Sequence, residues 1–201
     1  MIEKNNQKNI NSSEILGRIL FPGEEIQKKV IELGNRITLD YKGKELLIVC
    51  ILRGAVIFLT DLIKHIDLPL SIDFMSISSY GFNMHGSGLV KITKDLDENI
   101  EGRHVLIVED IIDTGLTLSY MLRNLKAREP ASIEICTLID RAVRRITDLK
   151  IKYYAFKLEE KYVVGYGLDY KQKYRNLESI YELRTDTIKK DIETLKSTLN
   201  K

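Results

Sequence analysis

Residues 105–120 read VLIVEDIIDTGLTLSY, and how they fold decides how the rest of the chain is arranged. The apolar run Val105 to Val108 has the composition of a buried strand. It leads into Glu109 and Asp110 side by side, then into Asp113, and then into Thr114-Gly115-Leu116-Thr117. Beyond these, Leu118, Met121, Leu122 and Leu125 recur at the spacing of one helix face. The stretch therefore predicts a strand that gives way to a helix, with three acids, two hydroxyls and a glycine at the changeover.

The same alternation extends in both directions. LLIVCIL (46–52) reads as a strand buried on both faces, and AVIFLTDLIKHI, after Arg53-Gly54, as a helix packed largely inside. SIDFMSISS (71–79) alternates as a strand does, LVKIT from Leu89 is a short exposed strand, and YGFNMHGSG (80–88) is a glycine-rich loop. SIEICTLID is the next strand; YYAFKL, EKYVVGYGLDY and ESIYEL are strands with turns between them. An amphipathic helix begins at Pro22, with Ile26, Val30, Leu33 and Ile37 on one face. Residues 1–12 are loose. The segment TDTIKKDIETLKSTLNK is a solvated helix with Ile188, Ile192, Leu195 and Leu199 in a stripe, capped by Thr185, Asp186 or Thr187. Buried strands alternating with helices imply an α/β fold, a mostly parallel twisted sheet flanked by helices. Ligands of such sheets bind beyond the carboxyl ends of the strands. That directs attention to Arg53-Gly54, to 109–117 and to Arg141.

Bulk properties narrow the class. With 201 residues, 44% hydrophobic and 30% charged, the chain is long enough for one domain with a real core. A net charge of +2 gives no electrostatic sign of a nucleic-acid partner. No apolar run reaches membrane-spanning length, and the polar N-terminus lacks a secretory core, so the expected compartment is cytoplasmic. Cys50 and Cys136 lie inside apolar runs and read as buried thiols. His65, His85 and His104 are scattered, without ligand spacing, which argues against zinc and against a Cys/His nucleophile.

The chemistry of the opening stretch follows from its parts. The first N–H groups of a helix have no internal partners and carry the positive end of its dipole. Gly115 admits a ligand close to the backbone, and Thr114 and Thr117 add donors, so Asp113 to Thr117, Leu116 included, form a phosphate cradle. The lysine of a P-loop is missing. Three carboxylates facing the phosphate would repel it, so Glu109 and Asp110 must face sugar hydroxyls or a divalent cation. Acids at a helix start are worth only ~0.3–1 kcal/mol each, which explains one acid and not a pair. A sugar phosphate is the implied ligand.

VEDIIDTGLTL resembles the phosphoribosyl-pyrophosphate motif of type I phosphoribosyltransferases, in particular the hypoxanthine-guanine branch. ILRGAVIFLTDLI is similar to that family's pyrophosphate loop and following helix, SISSYG to the start of its mobile lid, and YVVGYGLDYKQKYRNL to its base-binding hood. The four pieces occur in order across residues 14–184. The resemblance implies a phosphoribosyltransferase domain over 14–184, with a small hood built from the terminal segments, and an additional helix over 185–201. It implies transfer of 5-phosphoribosyl from phosphoribosyl pyrophosphate to hypoxanthine or guanine with Mg2+, in purine salvage, by a homodimer or homotetramer.

Carried over, Asp113 would exchange a proton with purine N7, Glu109 and Asp110 would hold the ribose hydroxyls with magnesium nearby, and 113–117 would take the 5-phosphate. Arg53, Gly54 and Arg175 would bind pyrophosphate. Arg141 would donate to the 6-oxygen, Tyr162 would stack on the base, and the Val163 backbone would touch its edge. Asp169 would sit at the purine subsite and ligate a second magnesium. Ser79 and Tyr80 would close over the site.

Two positions depart from the family pattern. Arg53 stands where the loop usually has lysine, in a peptide that the family makes cis. Arg141 also replaces a lysine, and its wider fork leaves the order of hypoxanthine, guanine and xanthine open. Two other readings share the fold. One is a phosphoribosyl-pyrophosphate-sensing regulator that binds nucleic acid, which would need a basic surface or an added domain. The other is a xanthine-preferring transferase.

Overall fold

The computed structural model describes residues 15–80, 89–184 and 186. The glycine-rich loop with Gly81, Gly86 and Gly88, the N-terminus expected to be loose and the C-terminal helix expected over 185–201 fall outside these residues, apart from Tyr80 and Asp186.

At the centre lie β2 (Leu46–Leu52) and β5 (His104–Ile112), paired in parallel from Leu46↔His104 to Cys50↔Val108. Every side chain from Leu46 to Ile51 is buried, which is why this strand reads as an unbroken apolar run. Alternate residues point to opposite faces. Leu46, Ile48, Cys50, Leu106 and Val108 pack under α1 (Gly23–Asp40) and α2 (Val56–Leu62). Leu47, Val49, Ile51, Val105 and Ile107 pack under Met121, Leu122 and Leu125 of α3 (Leu116–Lys126). Helix α1 buries Ile26, Val30, Leu33 and Ile37, the four positions that its period predicts.

The main sheet has the order β4-β3-β2-β5-β6-β7. Strands β3 (Leu70–Tyr80), β6 (Ser132–Asp140) and β7 (Tyr153–Lys157) run parallel to the central pair, and β4 (Leu89–Lys94) is antiparallel to β3 at the edge. The chain steps from β2 to β3 on one side, while β5, β6 and β7 extend the other side. The order therefore reverses between β2 and β5, where an open α/β sheet forms its binding crevice.

A second sheet, β1-β9-β8, combines β1 (Leu16–Phe21) with β8 (Val163–Val164) and β9 (Ile180–Leu183), all antiparallel. It joins the two ends of the domain into the expected hood. Phe21 stacks on Phe156 with ring centroids 4.1 Å apart, which ties the hood to β7. Strand β1 has no counterpart in the sequence reading. Its pairing to β9 shifts register twice in six residues, so it lacks the strict alternation that marks a strand.

One boundary also differs. The two acids do not end β5, which continues to Ile112 through the pairs Ile111↔Ile139 and Ile112↔Asp140. Ile112 is buried against the α3 side, and this apolar anchor carries the strand past the acids.

Candidate active site

Residues 113–117 follow directly on β5. Gly115 is the N-cap of α3 and has φ 82°, in the left-handed region. A side chain there would be strained and would run into Thr147 and Leu149. Glu109, Ile111, Ile112, Asp113, Thr114, Gly115, Thr117 and Leu118 line a cavity of about 160 Å³. Most of the predicted cradle thus lines a concavity at a helix start, the part of a helix whose first N–H groups have no intrahelical partners. A larger groove of about 930 Å³, between α1, α2 and the hood, contains none of the predicted residues.

A run of arginines after β6 braces this loop. Arg145 donates from Nε to the Asp113 carbonyl at 2.9 Å and from Nη2 to the Ile112 carbonyl at 3.3 Å, and pairs with Asp140. The Ile146 N–H and the Thr147 hydroxyl both donate to the Thr114 carbonyl, at 3.1 and 3.2 Å. Arg144 Nη1 lies 3.0 Å from Asp113 Oδ2, and Arg141 Nη1 lies 3.7 Å from the same oxygen. Asp113 Oδ1 is buried and unpartnered, as is Arg141 Nε. Arg141 is 6% exposed; burial, first of all, lowers its pKa, and Arg144 adds to this against the opposing pull of Asp113. Arg144 and Arg145 were not among the predicted residues. The basic run RAVRR directly after a strand end was the signal that could have found them.

Glu109 and Asp110 sit half-buried in β5. Burial, then the adjacent Asp110 charge, pushes the Glu109 carboxyl well above the usual carboxylate range. Burial, with a smaller contribution from Asp169, pushes Asp110 up to about 6, against the Ile111 N–H and the Arg175 guanidinium, which pull it down. Two neighbouring hard oxygen donors that hold their charge poorly on their own fit a hard dication, which would supply the missing positive charge. Among the described residues there is no ready-made group of three metal-binding side chains. Asp169 is engaged instead: its Oδ1 pairs with Arg175 Nη2 at 2.7 Å and its Oδ2 accepts the Gln172 N–H at 2.8 Å.

The loop after β2 meets these acids. The Leu52–Arg53 peptide is cis, in line with the family pattern. A Cβ on Gly54 would collide with the Asp110 carboxylate, and one on Gly167 would collide with the Gly54 carbonyl. Only bare backbone fits where loop, β5 and hood converge. Arg53 Nη1 and Arg175 Nη2 share the Gln172 Oε1, at 3.4 and 3.1 Å, and Arg175 Nη1 donates to the Gly167 carbonyl at 2.7 Å. Gln172 was not predicted. It holds φ 63°, in a turn where Tyr166, Lys171 and Tyr174 are also left-handed, and no residue type in that stretch announces such backbone.

The remaining predicted residues lie in the hood and at the end of β3. Tyr162 is 56% exposed, unlike a core aromatic. Val163 starts β8 beside it with a buried side chain. Ser79 and Tyr80 close β3, paired to Val90 and Leu89. Cys50 and Cys136 are buried free thiols, as expected; burial, first of all, pushes Cys50 up to about 12. No helix among the described residues is long and apolar enough to cross a membrane.

Comparison with known proteins shows the family. Residues 19–171 match the family model described as the phosphoribosyl transferase domain. A hypoxanthine-guanine phosphoribosyltransferase of Bacillus subtilis is 50% identical over 167 residues, covering 83% of this chain and 93% of that protein. One from Streptococcus thermophilus is 47% identical over 173 residues, covering 86% and 96%. The crystal structure of a hypoxanthine phosphoribosyltransferase from Staphylococcus aureus superposes with a TM-score of 0.86 at 45% identity, covering 90% of this chain and 98% of that one. The chain belongs to the phosphoribosyltransferase family, on the branch whose members carry the name hypoxanthine-guanine phosphoribosyltransferase.

Proposed function

We propose that the protein transfers the 5-phosphoribosyl group of phosphoribosyl pyrophosphate to N9 of hypoxanthine, and of guanine, releasing pyrophosphate. The observation that carries this is the cavity at 109–118, beside a carboxylate with one buried, unpartnered oxygen. The 5-phosphate sits on the first turn of α3 and the Thr114 and Thr117 hydroxyls. Glu109 and Asp110 take the ribose hydroxyls. Arg53, Gly54 and Arg175 face the pyrophosphate.

As the C1′–O bond breaks, its electron pair leaves on pyrophosphate, and C1′ becomes cation-like. N9 supplies the pair for the new C1′–N bond, and the N7 proton passes to Asp113. Arg141 donates to the 6-oxygen, and this favours a 6-oxopurine over adenine, whose amino group would confront a cation. Tyr162 offers its exposed face to the base, with the Val163 backbone at the base edge. Ser79 and Tyr80 belong to a lid whose closure keeps water from the cation-like carbon.

Glu109 and Asp110 would hold Mg2+, and Asp169, paired here with Arg175, would be the further ligand. When bound, Mg2+ neutralises the diphosphate and the sugar-facing acids. The domain spans 14–184, and the working form is a cytoplasmic homodimer or homotetramer. The test is turnover: purified protein, phosphoribosyl pyrophosphate, Mg2+ and each purine in turn. Nucleotide should form with hypoxanthine and guanine and not with adenine; absence of nucleotide with every 6-oxopurine would overturn the proposal.

A further inference from the structure

Asp113 is held by one oxygen and free at the other. Arg144 Nη1 approaches Oδ2 at 3.0 Å, Arg141 Nη1 approaches the same atom at 3.7 Å, and Oδ1 is buried without a partner. We propose that Arg144 is a positioning residue: it anchors Oδ2 so that Oδ1 faces the base and receives the N7 proton. This rests on the role given to Asp113 above.

The torsion that orients a carboxylate is broad and roughly two-fold, so an unanchored Asp113 would sample both oxygens and a range of tilts. Arg144 itself is set by the short turn after β6, where its N–H donates to the Arg141 carbonyl at 3.1 Å and the Arg145 N–H donates to the Ala142 carbonyl at 3.1 Å. The three arginines divide the work. Arg145 holds the backbone carbonyls of 112 and 113, and Arg144 holds the carboxylate. Arg141, with its Nε unpartnered, is left with donor capacity for the 6-oxygen.

The Arg144 and Asp113 side chains are 39% and 37% exposed. Pairs this open contribute little to folding, so removing the guanidinium should leave the protein folded while loosening the carboxylate. A misplacement of about 1 Å at a reacting group costs roughly 100-fold in rate.

The experiment compares Arg144→Gln, Arg144→Lys, Asp113→Asn and the double variant Asp113→Asn/Arg144→Gln, by steady-state kinetics and by calorimetric binding of the purine ribonucleotide product. Arg144→Gln should lower kcat by roughly 10- to 100-fold and leave the KM for phosphoribosyl pyrophosphate and the product affinity within about 3-fold. Arg144→Lys should recover most of the rate. In the Asp113→Asn background, Arg144→Gln should add almost nothing, because the pair acts as a unit. Equal losses in both backgrounds, or a raised KM with kcat intact, would make Arg144 a ligand for phosphate and overturn the inference. Wild-type kcat in Arg144→Gln together with a slow Asp113→Asn would overturn it while leaving Asp113 as the acid/base. Full rate in Asp113→Asn would remove the role of Asp113 and this inference with it.

Discussion

Arg141 occupies a position where a cation is expensive. It is 6% exposed, has an unpartnered Nε and lies 3.7 Å from the Asp113 carboxylate. Buried cations persist when they are paired or have work to do. Here the pairing is partial, and the spare donors suit the proposed contact with a carbonyl on the base. Arg141→Ala should therefore lower kcat/KM for hypoxanthine and guanine by roughly 10- to 100-fold, the value of one hydrogen bond from a charged donor, with the KM for phosphoribosyl pyrophosphate little changed. Because Arg144 lies nearer to Asp113 than Arg141 does, at 3.0 Å against 3.7 Å, Asp113 should keep its nearer partner in that variant, and the loss should report chiefly on the base. Full efficiency on every 6-oxopurine would contradict this. The residues most legible from sequence are those whose type alone narrows their chemistry, namely Glu109, Asp110, Asp113 and Gly115. Gln172 was not legible, and Arg144 only as part of the basic run RAVRR. A glutamine and a surface arginine become functional only through their neighbours, here a left-handed turn and an aspartate thirty-one positions away.

At the scale of elements, the β5–α3 unit could be read almost entirely from its apolar pattern, because a strand buried on both faces and a helix with one buried face leave different periods. The extension of β5 to Ile112 and the existence of β1 could not be read, since both depend on partners, Ile139 and Asp140 in one case and β9 in the other. The edge of the sheet carries a further dependency. Asp73 in β3 is 4% exposed and accepts the N–H groups of Phe74, Asp97 and Glu98 at 2.6, 2.8 and 3.0 Å, with Lys94 nearby. Burial pushes this carboxyl up, but the three N–H donors and Lys94 together outweigh it and leave the pKa lowered. A carboxylate with a lowered folded pKa stabilises fully above its unfolded value of ~3.9 and loses that contribution as the pH falls through the folded value. Asp73→Asn should cost ~1–3 kcal/mol in urea unfolding at neutral pH, and the gap to wild type should narrow on acidification below ~3.9. A gap that stays constant across that range would show that the charge of Asp73 contributes nothing.

Across the whole molecule, the reversal of strand order between β2 and β5 explains why residues far apart in sequence meet. It sets the loop at 53–54 against Asp110 and lets the hood turn at 167–175 close the crevice from above. In the proposed site, the opposite requirements of a sugar phosphate, anions for its hydroxyls and amide dipoles for its phosphate, would be met on the two sides of one strand-to-helix junction. A crystal structure of the protein with a purine ribonucleotide bound tests this most directly. The account predicts the phosphoryl group on the N–H groups and hydroxyls of residues 113–117, with the ribose toward Glu109 and Asp110 and the base between Tyr162 and Arg141. A phosphoryl group bound anywhere else, including the larger groove between α1, α2 and the hood, would contradict it.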